Sequence, residues 1–203
     1  PGFGDDTRKW RPPADAHGRA TYFESVNRNK ASVGIDLTSE AGRAQARELA
    51  LSADVLVENF YPGTMAKFGL GHESLLEANP GLVYCSITGF GSGEGASLPG
   101  YDLLVQAVGG LMSITGPEPG QPTKVGVALV DVLTGLHATI GILAALRHRE
   151  QTGEGQHLEV SLLTSLLSGL VNQSSAVIGA GVVPGILGNG HPSIVPYNSF
   201  HAA

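Results

Sequence analysis

Charge is scarce in this chain. Only 15% of its 203 residues are Asp, Glu, Lys or Arg, against roughly 25% in an ordinary globular domain. The formal net charge is −6, and no Lys/Arg run exceeds two residues. The basic face that nucleic-acid phosphates require is therefore missing. Cysteine is nearly absent too. A lone Cys85 excludes an internal disulfide and a Cys-rich zinc site, and reads as a small buried hydrophobe. No run approaches the roughly 18 apolar residues of a membrane span, and the longest candidate, Ala176 to Gly188, falls short. No signal-peptide pattern opens the chain, which starts at Pro1 rather than Met, so the expectation is a reducing, cytoplasmic setting and a fragment of a longer protein. Apolar residues (42%) and glycine (29 residues) are abundant, which supports one sizeable core and excludes wholesale disorder.

Residues 1–30 carry Trp10, Pro12, Pro13 and Tyr22 without period and read as an irregular surface segment. Ala31–Leu37 predicts a short strand. Thr38, Ser39 and Glu40 then give a helix start, with Gly42, Ala46, Leu49 and Ala50 on its inner face. Ala53–Phe60 and Leu82–Thr88 are apolar runs of strand length, separated by a short helix and the turn Asn79-Pro80-Gly81. Strands alternating with helices predict βαβ units and a parallel sheet, an α/β fold. Further on, Gly100–Met112 reads as a helix and Thr115–Gly126 as a Gly/Pro-rich loop. Val132–Arg149 is the strongest helix, with Leu133, Leu136, Ile140 and Leu143 in an apolar stripe that predicts burial. Gln156–Val160 reads as one more strand, Ser161–Ala180 as one more buried helix, and residues 181–203 as a Gly/Pro-rich tail. The division is thus a main domain over 1–180 and a linker over 181–203.

Ligands of open parallel sheets bind beyond the carboxyl ends of the strands, and two such ends are marked. At Glu58-Asn59-Phe60-Tyr61-Pro62-Gly63, Asn59 offers a donor and an acceptor, Phe60 a ring face, and Gly63 close backbone approach. Lys67 lies one turn on, placed to meet a phosphate at a helix start. An ordinary strand-to-helix turn explains the same residues. The second end is Val127-Ala128-Leu129-Val130-Asp131, an acid after four apolar residues just before the strongest helix. Asp131 reads equally as a helix cap, a role Thr134 can also fill, or as a poorly hydrated nucleophile or base for an activated acyl group. His137 reads as a core histidine. Metal-ligand spacing, Walker loops and nucleophile elbows are absent. Gly91, Gly93 and Ala96 match only a relaxed dinucleotide pattern, so neither a metal nor NAD is expected.

An ordered set of motifs runs along the whole chain. It comprises Phe23-Glu24-Ser25-Val26-Asn27-Arg28-Asn29-Lys30, Glu58 to Gly63, Asn79-Pro80-Gly81-Leu82-Val83-Tyr84 and Ser86-Ile87-Thr88-Gly89-Phe90-Gly91. Pro99-Gly100-Tyr101-Asp102, Asp131, Gly141-Ile142-Leu143-Ala144-Ala145-Leu146 and Thr152-Gly153-Glu154-Gly155-Gln156 complete it. In these the chain resembles the class III CoA-transferases, a family that includes formyl-CoA and carnitine CoA-transferases and shares a superfamily with the α-methylacyl-CoA racemases. The resemblance implies a Rossmann-like large domain with a parallel sheet, in homodimers threaded as interlocked rings. It also implies an internal piece, with the first strand and a basic CoA contact before Pro1 and the small domain beyond Ala203.

By position, the resemblance makes Asp131 the aspartate nucleophile. It lays Ile35, Asp36, Leu37 and Thr38 along the CoA nucleotide and places Asn59, Phe60 and Tyr61 at the adenine and diphosphate. Lys67 falls at a basic phosphate contact, Tyr101 beside the thioester, and Asp102 as its acidic neighbour. Two departures are visible: Tyr61 stands where many members have Arg, and Pro99 where formyl-CoA transferase has Lys. The implied substrates are an acyl-CoA and a small free carboxylic acid, exchanging coenzyme A through an aspartyl anhydride and an aspartyl thioester. Amides at the helix start are expected to hold the oxyanions. The rivals are a racemase, against which Tyr101 stands where racemases have His, and a non-catalytic acyl-CoA-binding protein, against which Asp131 itself stands. A further possibility is a piece inactive on its own.

Overall fold

The structure, a computed structural model, describes residues 4–200 and 202. Residues 4–30 are more ordered than their composition suggests. Asp5 caps a 3-10 turn, Asp6–Lys9, its carboxylate accepting from the Thr7 amide at 2.7 Å. Helix α1 spans Thr21–Val26. Trp10 meets the Tyr22 ring edge-on with centroids 5.1 Å apart, and the Arg8 guanidinium lies 4.0 Å over Phe23. Aromatic and cation–π contacts thus replace the missing apolar period.

Residues 31–37 form no strand, contrary to the sequence expectation. Val33 is exposed, and among the described residues no strand pairs with this segment. A strand exists only where another chain segment takes up its N–H and C=O groups. Helix α2 (Glu40–Ser52) begins as expected, with Ser39 Oγ accepting from the Gly42 amide at 3.0 Å. Gly42 and Ala50 are buried, whereas Leu49, expected on the same face, is exposed.

Strand β1 (Val55–Glu58) follows, then α3 (Thr64–Lys67), α4 (His72–Ala78) and β2 (Val83–Thr88). Next come α5 (Asp102–Val108), α6 (Leu111–Ile114), α7 (Leu129–Thr152), β3 (His157–Ser161), α8 (Leu162–Gly169) and α9 (Asn172–Ala180). The three strands are parallel in the order β1-β2-β3, with Val55 opposite Val83 and Tyr84 opposite His157. The parallel α/β architecture expected from the sequence is present. One core cluster, with Ala50, Leu70, Leu75, Leu82 and Tyr84, packs α2 and α4 against the sheet. Another, with Val105, Val130, Leu162 and Leu166, joins α5, α7 and α8.

Three helices depart from expectation. The span 100–112 divides into α5 and α6 at Gly109-Gly110, where Gly110 takes φ +89°. The span 161–180 breaks after Gly169 into α8 and α9, which lie 85° apart. Glycine holds helical conformation poorly, and both breaks fall beside one. Helix α7 starts at Leu129, so Asp131 lies inside its first turn and not before it.

The expected burial of α7 is met on one side only. Val130, Thr134, Ala138 and Ala145 are buried, but Val132, Leu136, Ile140 and Leu143 are exposed. An 18-residue window of α7 has mean hydropathy 1.8, so by length and composition alone the helix is apolar enough to cross a membrane. The sequence reading missed this because the apolar residues recur on helical faces and do not form one uninterrupted run. Residues 181–200 form no helix or strand.

Candidate active site

The carboxyl ends of β1 and β2 and the start of α7 open into one cavity of about 630 Å³. Its floor is built by two turns. After β1, Glu58 Oε2 accepts from the Phe60 amide at 2.8 Å, and Tyr61 O accepts from the Thr64 amide at 3.0 Å. This doubles the chain back so that Asn59, Phe60 and Tyr61 line the cavity. After β2, Thr88 Oγ1 accepts from the Gly91 amide at 2.9 Å. The loop that follows returns on itself: a Cβ on Gly100 would lie 2.2 Å from Gly89 Cα, so the two backbones meet where neither residue has a side chain. That crossing delivers Tyr101, 73% exposed, and Asp102 to the cavity wall.

Asp131 enters the cavity from the first turn of α7. Of the two readings left open by the sequence, the capping role is filled by other residues. Ala128 occupies the cap position and makes no side-chain cap bond. The cap comes from another helix: Asp102 Oδ2 accepts from the Val130 amide at 2.8 Å and the Asp131 amide at 3.4 Å. Thr134 does not cap either, since its hydroxyl donates to Val130 O at 2.7 Å. Among the described residues, the Asp131 carboxyl group accepts no hydrogen bond. Burial pushes its pKa above the ordinary aspartate value, and the nearby Asp102 carboxylate pushes in the same direction. The group is exposed at the cavity, so a carboxylate oxygen there is accessible to a substrate as a nucleophile would be. The helix-start amides expected to hold an oxyanion are, however, already donated to Asp102 and, from Val132, to Ala128 O at 3.1 Å.

Asn59, Phe60, Tyr61, Tyr101, Asp102 and Asp131 thus share one cavity, whereas Lys67, at the end of α3, and Ile35 to Thr38 do not line it. The 35–38 segment is nonetheless held in shape. Asp36 Oδ1 accepts from the Thr38 amide at 2.9 Å and hydroxyl at 2.6 Å, and the Arg43 guanidinium donates to Thr38 O at 2.8 Å. The sequence reading missed Trp10, Thr88, Leu98 and Thr134 in the cavity wall. Only Trp10 carried a usable signal, as the one indole in the chain.

A second cavity of about 390 Å³ lies on the sheet face beside the first and shares Glu58, Tyr61 and Thr88 with it. There His157 stacks on His72 and meets Ser86 Oγ through Nε2 at 3.0 Å. Among the described residues, no group of three His, Cys, Asp or Glu side chains is placed to hold a metal ion.

The sequence pattern of CoA-transferase family III matches residues 1–203. The chain belongs to that family. It is 47% identical over 203 residues to a succinate–glutarate CoA-transferase of Agrobacterium fabrum, covering 97% of this chain and 51% of that protein. It is 43% identical over 209 residues to a succinyl-CoA:mesaconate CoA-transferase of Haloarcula hispanica, covering 98% of this chain and 53% of that protein. The crystal structure of a CAIB/BAIF family protein from Brucella suis superposes with a TM-score of 0.89 at 46% identity, covering 96% of this chain and 53% of that one. The chain spans about half the length of the curated relatives it matches.

Proposed function

We propose that the protein containing this chain transfers coenzyme A from an acyl-CoA to a free carboxylic acid, with Asp131 as the covalent carrier. The single observation that carries this reading is the Asp131 carboxyl group, which faces the cavity without a hydrogen bond because Asp102 caps its helix. A carboxylate oxygen of Asp131 attacks the thioester carbonyl, the C–S bond breaks, and CoA leaves as thiolate from a mixed anhydride. The thiolate attacks the Asp131 side of that anhydride, releasing the donor acid as carboxylate and leaving an aspartyl thioester. The acceptor carboxylate attacks this thioester, again expelling the thiolate. The thiolate then attacks the acceptor acyl carbon, so the new acyl-CoA departs and Asp131 is a carboxylate again. No proton or water is consumed in the cycle, and every acyl bond broken is replaced by another activated one. Water must be kept out, which the apolar wall of Phe60, Ile87, Leu98 and Leu162 favours.

The relatives named for glutarate and mesaconate favour a dicarboxylic acid as acceptor and succinyl-CoA as donor. Asn59, Phe60 and Tyr61, at the β1 turn, are the residues we assign to the CoA nucleotide end, with Tyr101 at the thioester. Lys67 and residues 35–38, outside the cavity, are assigned to parts of CoA that extend beyond it. The exposed apolar face of α7 supports a homodimer in which a second copy covers Val132, Leu136, Ile140 and Leu143. A cytoplasmic setting remains part of this reading, in keeping with the buried, unpaired Cys85.

The test is to mix the full-length protein with succinyl-CoA, quench with hydroxylamine, and map the adduct by mass spectrometry. A hydroxamate on Asp131 is expected. Turnover with unmodified Asp131 and label elsewhere would overturn the mechanism, and α-proton exchange without CoA transfer would make the protein a racemase.

A further inference from the structure

Gln106 is an amide with no exposed surface, 0% accessible, in a chain whose other buried residues are almost all apolar. Burying a side-chain amide is unfavourable unless both of its ends are bonded, and both are. Its Nε2 donates to Asp102 Oδ1 at 2.5 Å, and its Oε1 accepts from the Val125 amide at 2.9 Å. Asp102 is thereby held at both oxygens, by Gln106 at one and by the α7 amides at the other. The side chain therefore links three separate pieces of the chain: α5, the loop that leads into α7, and the first turn of α7 that carries Asp131.

From this geometry we infer that Gln106 is a positioning residue for the reaction, fixing the Asp102 carboxylate so that the amide cap holds the α7 first turn, and Asp131 with it, in one orientation toward the cavity. The inference rests on Asp131 being the acyl carrier. An apolar side chain of similar volume would pack as well at position 106, but it would leave Asp102 Oδ1 and the Val125 amide unbonded. The cap would then rotate about its remaining contact, and the carboxyl group of Asp131 would sample several directions. Reactions that depend on a near-attack geometry lose about 10²-fold from a displacement of around 1 Å.

The test compares Gln106→Met with the parent in the full-length protein. With succinyl-CoA and glutarate, kcat is expected to fall about 10²-fold on that same geometric scale, while KM for succinyl-CoA moves less than about twofold. Amide hydrogen exchange at Val130 and Asp131 is expected to quicken, with exchange at Ala138 to Ala145 unchanged. Gln106→Glu keeps the acceptor for Val125 but gives Asp102 a hydrogen only when protonated. The charged group that faces position 106 is Asp102, one turn earlier on the same helix, so the kcat of Gln106→Glu relative to the parent should rise as pH falls. A merely structural role would lower the folded fraction and leave the kcat of the remaining enzyme and its pH profile unmoved, and that result overturns the inference. Unchanged exchange at Val130 and Asp131 also overturns it, with acylation of Asp131 still standing. Quickened exchange together with no acylation of Asp131 in the parent would instead remove the catalytic reading and, with it, the role assigned to Gln106.

Discussion

His72 and His157 lie ring on ring, their centroids 3.7 Å apart and their planes 12° from parallel. One ring comes from α4 and the other from the first residue of β3, so the stack joins a helix to the sheet. Burial holds the His157 pKa below the ordinary histidine value, and the neighbouring His72 lowers it further, against smaller opposite effects from Glu159 and Glu58. In this pH range the unfolded chain binds a proton that folded His157 resists. Its contribution is therefore complete above about pH 6.5, the unperturbed histidine pKa, and is lost as pH falls through the lower folded value. Urea titrations between pH 7.5 and 5 should show stability falling on the acid side. His157→Gln should flatten that slope while costing about 1 kcal/mol for the bond to Ser86.

Asp131 shifts in the opposite direction, and the sign of its effect on stability reverses accordingly. A folded pKa above 3.8 means that the folded state prefers the protonated acid. Stability from this group is present below pH 3.8 and lost as pH rises through the folded value, so at neutral pH the carboxylate is a net cost. Asp131→Asn should lower CoA transfer by at least about 10³-fold, as removal of a covalent nucleophile does. The same substitution should raise Tm at pH 7 by about 1–2 °C, a small gain because the group is open to solvent and screened. Calorimetry at pH 7 and at pH 3 checks this, since the gain should vanish in acid.

Much of the scaffold was legible because it is written in local pattern. The runs around β1, β2 and β3 are bounded by turn residues, and Ser39 signals α2 through a bond to an amide three residues away. What failed was whatever depends on a distant neighbour. Residues 31–37 have the composition of a strand but, among the described residues, no strand to pair with. The apolar stripe of α7 has a helical period, yet Leu136, Ile140 and Leu143 on it are exposed. The cap of α7 was the sharpest case: the spacing of Asp131 fits a cap, and only the position of Asp102, 29 residues upstream, shows that the cap is supplied from elsewhere. Gln106 left a faint trace, an amide four residues after an acid on one helix face. Nothing local says that it is buried.

The crossing of Gly89 and Gly100 gives a prediction about the cavity wall. A Cβ at position 100 would sit 2.2 Å from Gly89 Cα and 2.9 Å from its nitrogen, and neither backbone atom can rotate aside. Gly100→Ala should destabilise the protein by about 2–3 kcal/mol, the upper range of overpacking costs. It should also weaken binding of acyl-CoA, because the loop it opens carries Leu98, Tyr101 and Asp102. Denaturant unfolding and calorimetric titration with CoA measure the two effects separately. Gly91→Ala tests the contrast: its Cβ would meet nothing within 4 Å, although its φ of +85° favours glycine, so its cost should be a backbone cost of about 1 kcal/mol without loss of binding.

At the other end of α7 from Asp131, Arg149 ties the helix to the start of the sheet. Its guanidinium donates to Gly81 O at 3.2 Å, to Asp54 O at 3.5 Å and to Asp54 Oδ1 at 3.0 Å, reaching the residues just before β2 and β1. The two sides of the ion pair are unequal, since the Arg149 side chain is 27% exposed and that of Asp54 is 81% exposed. The charge on Asp54 is therefore well screened and contributes little, whereas the bond to Gly81 O is part-buried. Asp54→Ala should cost less than about 0.5 kcal/mol, and Arg149→Ala about 1–2 kcal/mol. Arg149→Lys should recover only part of this, because an ammonium group lacks the planar fork in which Nη1 meets the carbonyls and Nη2 the Asp54 carboxylate. A double-mutant cycle at positions 54 and 149 should give a coupling energy below about 0.5 kcal/mol. A larger value would make the ion pair, and not the carbonyl bonds, the tie between α7 and the sheet.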